Sequence, residues 1–241
     1  MEKRFFVESI DSDIITLSGE EFEHMSRVLR CKVGERVECF SDGSDIFVCK
    51  ILSINKNQAI LQVESKYTCK ANPKVQVAVF QALVKGDKLE FLTMKLSELG
   101  VGELVLFSSR FTNFKPNMVR PERLNKIAVG ASKQCGRTSI MKIGSPIKFE
   151  QVLQELKNYD TIIFANETEK DTEKTLKNAK KPQFDGKIAI IIGSEGGFEI
   201  GEIESIIKAG GVSTSLGSRI LRAETAAIAL TSIVMYQVGE L

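Results

Sequence analysis

The sequence predicts an α/β protein in which a parallel sheet covered by helices follows a small β-barrel. Three features carry that prediction. From residue 73 onward, apolar runs such as Ile188-Ala-Ile-Ile-Ile192 alternate with helical stretches, and near-continuous apolar strands are what a sheet covered on both faces demands. Before residue 70 the apolar runs are short, closely spaced and separated by turn residues, the rhythm of a barrel. Between the two regimes, Lys70-Ala-Asn-Pro73 sets a proline in a polar cluster and reads as a linker. The predicted domains are therefore 1–70 and 73–241.

In the first domain, strands are predicted at 4–7, 14–17, 36–40, 46–52 and 59–63, with turns at Ser41-Asp-Gly-Ser44 and Asn55-Lys-Asn57. One helix interrupts them. Ser18 followed by Glu21 has the spacing of a capping box, and Phe22, Met25 and Val28 or Leu29 then form an apolar stripe at helical spacing. Beside it His24, Arg27 and either Arg30 or Cys31 fall three apart, a basic stripe continued by Lys32.

In the second domain, strands are predicted at 75–81, 104–107, 161–165 and 187–192, with a short extended stretch at 212–216. Helices fall between them. Leu89, Leu92, Leu96 and Leu99 mark one closed by Gly100, and Pro121 opens another carrying Leu124, Ile127, Ala128 and Ala131. Further helices cover 149–156, 200–209 and 223–238, and the lysine-rich stretch 170–181 reads as a solvated, partly helical connector.

The chain has 241 residues, 43% of them hydrophobic and 27% charged, enough for one large domain or two small ones without covalent staples. A net charge of +2 announces no nucleic-acid binder through its total, so any basic surface has to be local. The five cysteines, Cys31, Cys39, Cys49, Cys69 and Cys135, are odd in number and never spaced as C-x-x-C. Neither a disulfide framework nor a zinc site is signalled, and no metal is expected. Met1-Glu-Lys-Arg-Phe-Phe-Val-Glu8 has too short an apolar run for an export signal, and no segment approaches the roughly 18 apolar residues of a membrane span. The expectation is a cytoplasmic protein with reduced thiols and no membrane contact.

Gly193-Ser-Glu-Gly-Gly-Phe198 follows a buried strand, where glycines bring backbone N–H groups close to a ligand. It lacks the Lys-Ser/Thr end of a P-loop, the spacing G-x-G-x-x-G and the serine of G-x-S-x-G, and Glu195 would repel a phosphate. By itself the turn serves equally as a tight strand-to-helix connection or as a ligand site at the carboxyl end of a strand. A second strand-to-helix passage, Leu216-Gly-Ser-Arg-Ile-Leu-Arg-Ala-Glu-Thr-Ala226, carries two arginines three apart, and two such turns on successive units point to one crevice.

These two stretches, at this separation, resemble the SPOUT methyltransferases, and specifically their 16S rRNA uridine-N3 methyltransferase group. Gln81-Ala-Leu-Val-Lys-Gly-Asp-Lys-Leu-Glu90, Glu98-Leu-Gly-Val101, Gln134-Cys-Gly-Arg137, Arg4-Phe-Phe-Val7 and His24-Met-Ser-Arg-Val-Leu-Arg30 are similar to other blocks of that group, so the resemblance spans nearly the whole chain. Val84 and Ser194 stand where the group usually has proline, a difference in turn stiffness more than in chemistry.

The resemblance implies a C-terminal parallel-sheet domain threaded as a trefoil knot, a PUA-like N-terminal barrel that grips RNA, a homodimer, and 16S rRNA or the small ribosomal subunit as partner. It implies S-adenosyl-L-methionine as cofactor, held by backbone groups of Gly193, Gly196 and Gly197, with Leu216, Ile220 and Leu221 enclosing the adenine. Leu83, Ile192, Glu195, Gly217, Arg219, Ala223, Thr225 and Ala226 complete that site, and Arg4, His24, Arg27, Arg30 and Lys32 are the residues expected on RNA. The turn needs no lysine, because a sulfonium is better served by carbonyls or a carboxylate.

Before N3 of a uridine can accept a methyl group, its proton must leave or its anion must be stabilised. An arginine beside O2 or O4 favours the anion through charge-assisted hydrogen bonds. Arg222 is expected in that role, with Arg219 and Arg137 as alternates; Glu195 is the candidate base or cofactor orienter, and Glu224 serves the helix N-terminus. His24, the only histidine, pairs with no nucleophile and reads as an RNA-backbone contact or a neutral surface residue. Cys135 reads as packing, since deprotonated N3 needs no covalent adduct. Two rivals stand beside this function: ribose 2′-O methylation, which also uses an arginine, and an RNA-binding assembly factor without turnover, against which the two intact turns speak.

Overall fold

A computed structural model of the protein describes residues 3–167 and 186–241, so the lysine-rich stretch 170–181 lies outside the described residues. The chain forms two compact units, Met1–Asn72 with Ser132–Ile140, and Pro73–Ala131 with Met141–Leu241.

In the first unit, strands β1 (Arg4–Phe6), β2 (Ile14–Ser18), β3 (Arg36–Phe40), β4 (Asp45–Ile54) and β5 (Gln58–Thr68) form one sheet in the order β1-β3-β4-β5-β2. The β1–β3 pair is parallel and the others are antiparallel. Register shifts at Val48/Cys49 and Ile51/Ser53 mark where extra residues bend the β4–β5 ribbon. The sheet curls around a core that includes Phe5, Leu17, Met25, Cys39 and Leu61. Strand β5 runs well past its predicted end. Residues 64–68 are mostly polar and exposed, and ladder bonds to Asp45–Val48 rather than burial keep them extended.

The helix of this unit departs from expectation at both ends. Ser18 closes β2 in an extended conformation and its side chain makes no capping bond, while Glu21 pairs with Lys133 at 2.7 Å, so the capping box is not formed. Helix α1 (Gly19–Glu23) then widens into a π-helical turn over His24–Val28. The wider turn breaks the three-residue spacing that would align a basic stripe. His24 is half-buried with its ring edge-on to Phe5 at 6.2 Å, and Val28 is exposed. Arg30 has φ +49, a left-handed conformation that costs a non-glycine residue about 1 kcal/mol. Beneath the sheet surface, the buried Glu38 carboxylate accepts both Nε and Nη2 of Arg4, at 2.8 and 2.6 Å, and the Tyr67 hydroxyl. The Nη1 group of Arg4 donates to the carbonyl of Gly136 at 2.6 Å.

In the second unit, β6 (Gln76–Ala82), β7 (Glu103–Ser108), β8 (Lys142–Ile143), β9 (Ile147–Lys148), β10 (Thr161–Ala165), β11 (Lys187–Ile192) and β12 (Val212–Thr214) form a parallel sheet. Its order is β12-β10-β11-β6-β7-β8, with β9 also on β7. The helices are α2 (Gly86–Glu98), α3 (Pro121–Cys135), α4 (Phe149–Glu155), α5 (Ile200–Lys208) and α6 (Ala223–Gln237). Only the first residue of β6 and of β11 is exposed, which is why both read as unbroken apolar runs. Strands β8 and β9, two residues each, are too short to leave a pattern. The chain builds outward from β6 in both directions, and the turns that follow β10, β11 and β12 all emerge at the carboxyl edge of the sheet, where open α/β sheets bind ligands.

Candidate active site

Those three turns enclose a cleft of about 280 Å³. The turn after β11 supplies Ile192, Gly193, Glu195 and Gly197 to its lining. Its shape is set from below by Gln81, whose buried amide nitrogen donates to the carbonyls of Ala82 at 2.8 Å and Gly193 at 3.1 Å. The Gly197 amide closes the turn on the Ser194 carbonyl at 3.0 Å, and the Ser194 hydroxyl donates to the Phe111 carbonyl at 3.1 Å. A methyl group on Gly193 would stand 3.0 Å from the carbonyl carbon of Gly197, and one on Gly196 would stand 2.8 Å from Cβ of Phe111. Gly197 sits at φ +69, where an L side chain is strained.

The segment after β12 forms the opposite wall, with Leu216, Gly217, Arg219, Ile220, Leu221 and Arg222 in the lining. Ile220 is 83% exposed, so this wall presents apolar surface that the fold itself leaves uncovered. Arg222 is the N-cap of α6, extended, with its carbonyl accepting the Ala226 amide at 2.8 Å; Ala223 and Ala226 complete the wall with small side chains. The third wall, Ala165-Asn166-Glu167 after β10, was not anticipated from sequence. Its signal was only positional: the strand at 161–165 was recognisable, but not its place between β11 and β12. The Asn166 amide bonds the Thr214 carbonyl at 3.0 Å and so ties this wall to the end of β12.

From α2, Lys88 Nζ reaches Glu195 at 2.9 Å and Glu224 at 3.5 Å. Burial pushes the Glu195 carboxyl up, but the hydrogen bond and charge of Lys88 and a backbone donor outweigh it, and the net pKa falls below the ordinary carboxylate value. For Lys88 the hydrogen bond to Glu195 dominates and raises the ammonium pKa. Glu195 is thus held as an anion at the mouth of the cleft.

Other expected site residues lie elsewhere. Leu83 is buried behind the sheet edge, its amide on the Phe107 carbonyl at 2.9 Å; Gly196 rests on Phe111, and Thr225 is exposed on α6, so none of the three lines the cleft. Arg137 belongs to the first unit, 2% exposed, with Nη2 on the Ser139 hydroxyl at 3.0 Å and its pKa lowered by burial. Arg4 is consumed by Glu38 and Gly136, and His24 by packing on Phe5, whereas Arg27, Arg30 and Lys32 are exposed, Arg27 beside Glu23 at 3.6 Å. Among the described residues no three His, Cys, Asp or Glu side chains are placed to hold a metal, and no helix is long and apolar enough to cross a membrane.

Residues 70–235 match the family model of an RNA methyltransferase domain, and residues 17–64 match that of an RNA methyltransferase PUA domain. A parallel α/β unit with its cleft at the strand ends, on one chain with a curled PUA-type sheet, defines the class: an RNA methyltransferase. More narrowly, the chain belongs to the ribosomal RNA small subunit methyltransferase E family. It is 31% identical to the family's protein from Rickettsia conorii over 90% of this chain and 87% of that one. With the protein from Bacillus subtilis it shares 28% identity over 98% and 96% of the two chains. A putative methyltransferase from Legionella pneumophila, solved in complex with the bound cofactor SAM, superposes with a TM-score of 0.86 at 27% identity over 98% of each chain.

Proposed function

We propose that the protein transfers a methyl group to N3 of a uridine in the 16S RNA of the small ribosomal subunit, acting as a cytoplasmic homodimer with S-adenosyl-L-methionine as methyl donor. The observation that carries this reading is the junction of the glycine turn with the 215–222 segment around one cleft. A backbone floor from which side chains are excluded, facing an uncovered apolar wall, suits a nucleoside bearing a sulfonium. Among the described residues no lysine lines the cleft, and Lys88, which reaches Glu195, is already committed to two carboxylates, which disfavours a phosphate. The relative solved with bound SAM supports the same choice.

When bound, S-adenosyl-L-methionine supplies an electrophilic methyl group; the rest is the work of the chain. Leu216, Ile220 and Leu221 enclose the adenine, while Gly193 and Gly197 offer backbone groups, and Ile192, Gly217, Ala223 and Ala226 shape the walls. Leu83, Gly196 and Thr225 support this lining from outside it. Glu195, fixed as an anion by Lys88, orients the cationic cofactor and is too weak a base at neutral pH to take the N3 proton. Arg222 holds the pyrimidine oxygens and so favours release of that proton to solvent, with Arg219, which also lines the cleft, as the alternate. Arg27, Arg30 and Lys32 contact the RNA backbone, with Arg4 and His24 holding their surface from within. The strand order, with its two turns at one edge, supports a trefoil-knotted thread, and the exposed Ile233 and Tyr236 on α6 support a second copy as partner.

The test is mass spectrometry of nucleosides from ribosomal RNA of cells lacking the protein, before and after adding purified protein with S-adenosyl-L-methionine. Loss and restoration of 3-methyluridine is expected. Loss of a 2′-O-methyl nucleoside instead would overturn the base specificity, and an unchanged profile would leave an RNA-binding assembly factor.

A further inference from the structure

Between β7 and α3 the chain supports the glycine turn through Phe111, but its exposed side chains have no part in the cleft. Residues 109–120, Ser-Arg-Phe-Thr-Asn-Phe-Lys-Pro-Asn-Met-Val-Arg, carry three cations, Arg110, Lys115 and Arg120, and no carboxylate, interleaved with two phenylalanines and a methionine. All three cations are exposed, as are Phe111 (44%) and Met118 (60%). Alternation of basic and apolar side chains on one surface segment is the composition of a single-strand nucleic-acid platform, in which cations meet phosphates and rings stack on bases.

The segment is also built to stay in place. The Ser109 amide and hydroxyl both engage the Thr112 hydroxyl, at 2.8 and 3.0 Å, and the Thr112 amide returns to the Ser109 carbonyl at 3.1 Å. The Arg110 amide is held by the buried Glu202 carboxylate at 2.9 Å. Phe111 is fixed to the cleft itself: its carbonyl accepts the Ser194 hydroxyl, and its Cβ occupies the space a side chain at Gly196 would need. Folding therefore spends several hydrogen bonds to hold the backbone of Arg110 and Phe111 against the glycine turn, while leaving the ring of Phe111 nearly half in water. At the far end, Phe114, Met118, Val119 and Arg120 line a shallow groove against α2.

We infer that residues 109–120 form an RNA-contact surface of the catalytic unit, which holds the unpaired nucleotides flanking the target base by their phosphates and by stacking of one base on Phe111. The inference rests on the reading above, and chemistry supplies the link: N3 of uridine lies on the Watson–Crick edge, so the target uridine has to be out of its pair, which costs least where its neighbours are single-stranded too.

The experiment uses the full-length protein and small ribosomal subunits from cells that lack it. Direct binding to the subunits and methyl incorporation are both measured across salt concentrations, with cofactor affinity measured separately by calorimetry. The triple variant Arg110→Ala, Lys115→Ala, Arg120→Ala should raise the RNA Kd at least tenfold and lower the slope of log K against log salt by about 2, three phosphate contacts' worth, with cofactor affinity as in the parent. Phe111→Leu, which preserves the packing against Gly196, should raise the RNA Kd about fivefold to tenfold without changing the salt slope. Lys142→Ala, Lys157→Ala, Lys208→Ala removes equal charge at the amino ends of β8, β10 and β12 and should leave both quantities unchanged. Equal effects of the two triple variants, or an unchanged Kd and slope for the first, would overturn the inference. If the parent binds subunits but transfers no methyl group, the methyltransferase reading fails while the binding data still judge the loop.

Discussion

Lys88 Nζ stands 2.9 Å from the carboxylate of Glu195, and the same ammonium lies 3.5 Å from Glu224, so one cation on α2 ties the glycine turn to the first turn of α6. Removing it leaves two carboxylates facing each other at the cleft mouth. Lys88→Met is expected to weaken S-adenosyl-L-methionine binding about tenfold by calorimetry, while Lys88→Arg retains most of it. Lys88→Met combined with Glu195→Gln should cost much less than the sum of the two, because the partners act as a unit.

The same pair fixes a pH dependence. The Glu195 pKa is lowered, so its contribution is present above the ordinary carboxylate value and is lost as pH falls through the depressed one. The Lys88 pKa is raised, so its contribution is present below the ordinary ammonium value and is lost as pH rises through the elevated one. The charge state of the pair should therefore hold from about pH 5 to about pH 10, leaving the α-amino group of the cofactor, at about pH 8 when free, to account for any change in affinity inside that range. A step between pH 6 and 8 that vanished in Glu195→Gln would show instead that Glu195 titrates as a base.

Gly193 and Gly130 give opposite outcomes for the same substitution. Gly193→Ala forces a methyl against the backbone of Gly197, and should abolish measurable cofactor binding and cost about 1–3 kcal/mol of stability. Gly130 lies inside α3 with open space around it, so Gly130→Ala should raise stability by about 0.5–1 kcal/mol in urea unfolding.

Arg222 is assigned to the transition state, and its removal should appear in turnover more than in binding. Arg222→Ala should lower kcat by about 10²-fold or more at saturating cofactor and RNA, with the RNA KM changed far less. Near-parental kcat would move the role to Arg219, the other arginine in the lining of the cleft.

In the first unit, Glu38 is the carboxylate on which Arg4 and Tyr67 converge. Glu38→Ala strips the partly buried guanidinium of its counter-ion and should destabilise this unit by about 2 kcal/mol. Arg36→Ala, which breaks an ion pair whose arginine is largely exposed, should cost less than about 1 kcal/mol. Chemical denaturation of the two variants makes the comparison.

The parallel sheet was legible because Lys187–Ile192 and Gln76–Ala82 are buried on both faces and must be apolar throughout, and the wall after β11 was legible because close approach of the chain at Gly193 and Gly196 leaves glycines behind. What the sequence hid was relational. Nothing local says that Ala165-Asn166-Glu167 faces the glycine turn, since that follows from β10 lying between β11 and β12. Nothing in the spacing of His24, Arg27 and Arg30 announces a π turn, which pulls one member of the apparent stripe onto Phe5. Nothing local marks Lys88 as the partner of Glu195, to which α2 carries it.

The first unit is completed by a segment that the ribosome makes late. Gly136 accepts Arg4, and Asn72 holds the amides of Thr138 and Ser139 through its side-chain oxygen, so the sheet that begins at residue 4 lacks these partners until Ser132–Ile140 has emerged. At ordinary elongation rates, the nearly 70 residues between Asn72 and Ile140 take on the order of several seconds to synthesise. During that interval the N-terminal strands wait in a partly formed state, and a break in translation inside α3 would release a nascent chain with Arg4 half-satisfied and Glu21 without Lys133. Co-translational folding of the first unit is therefore expected to finish only once residue 140 has emerged, not when its last strand has been made.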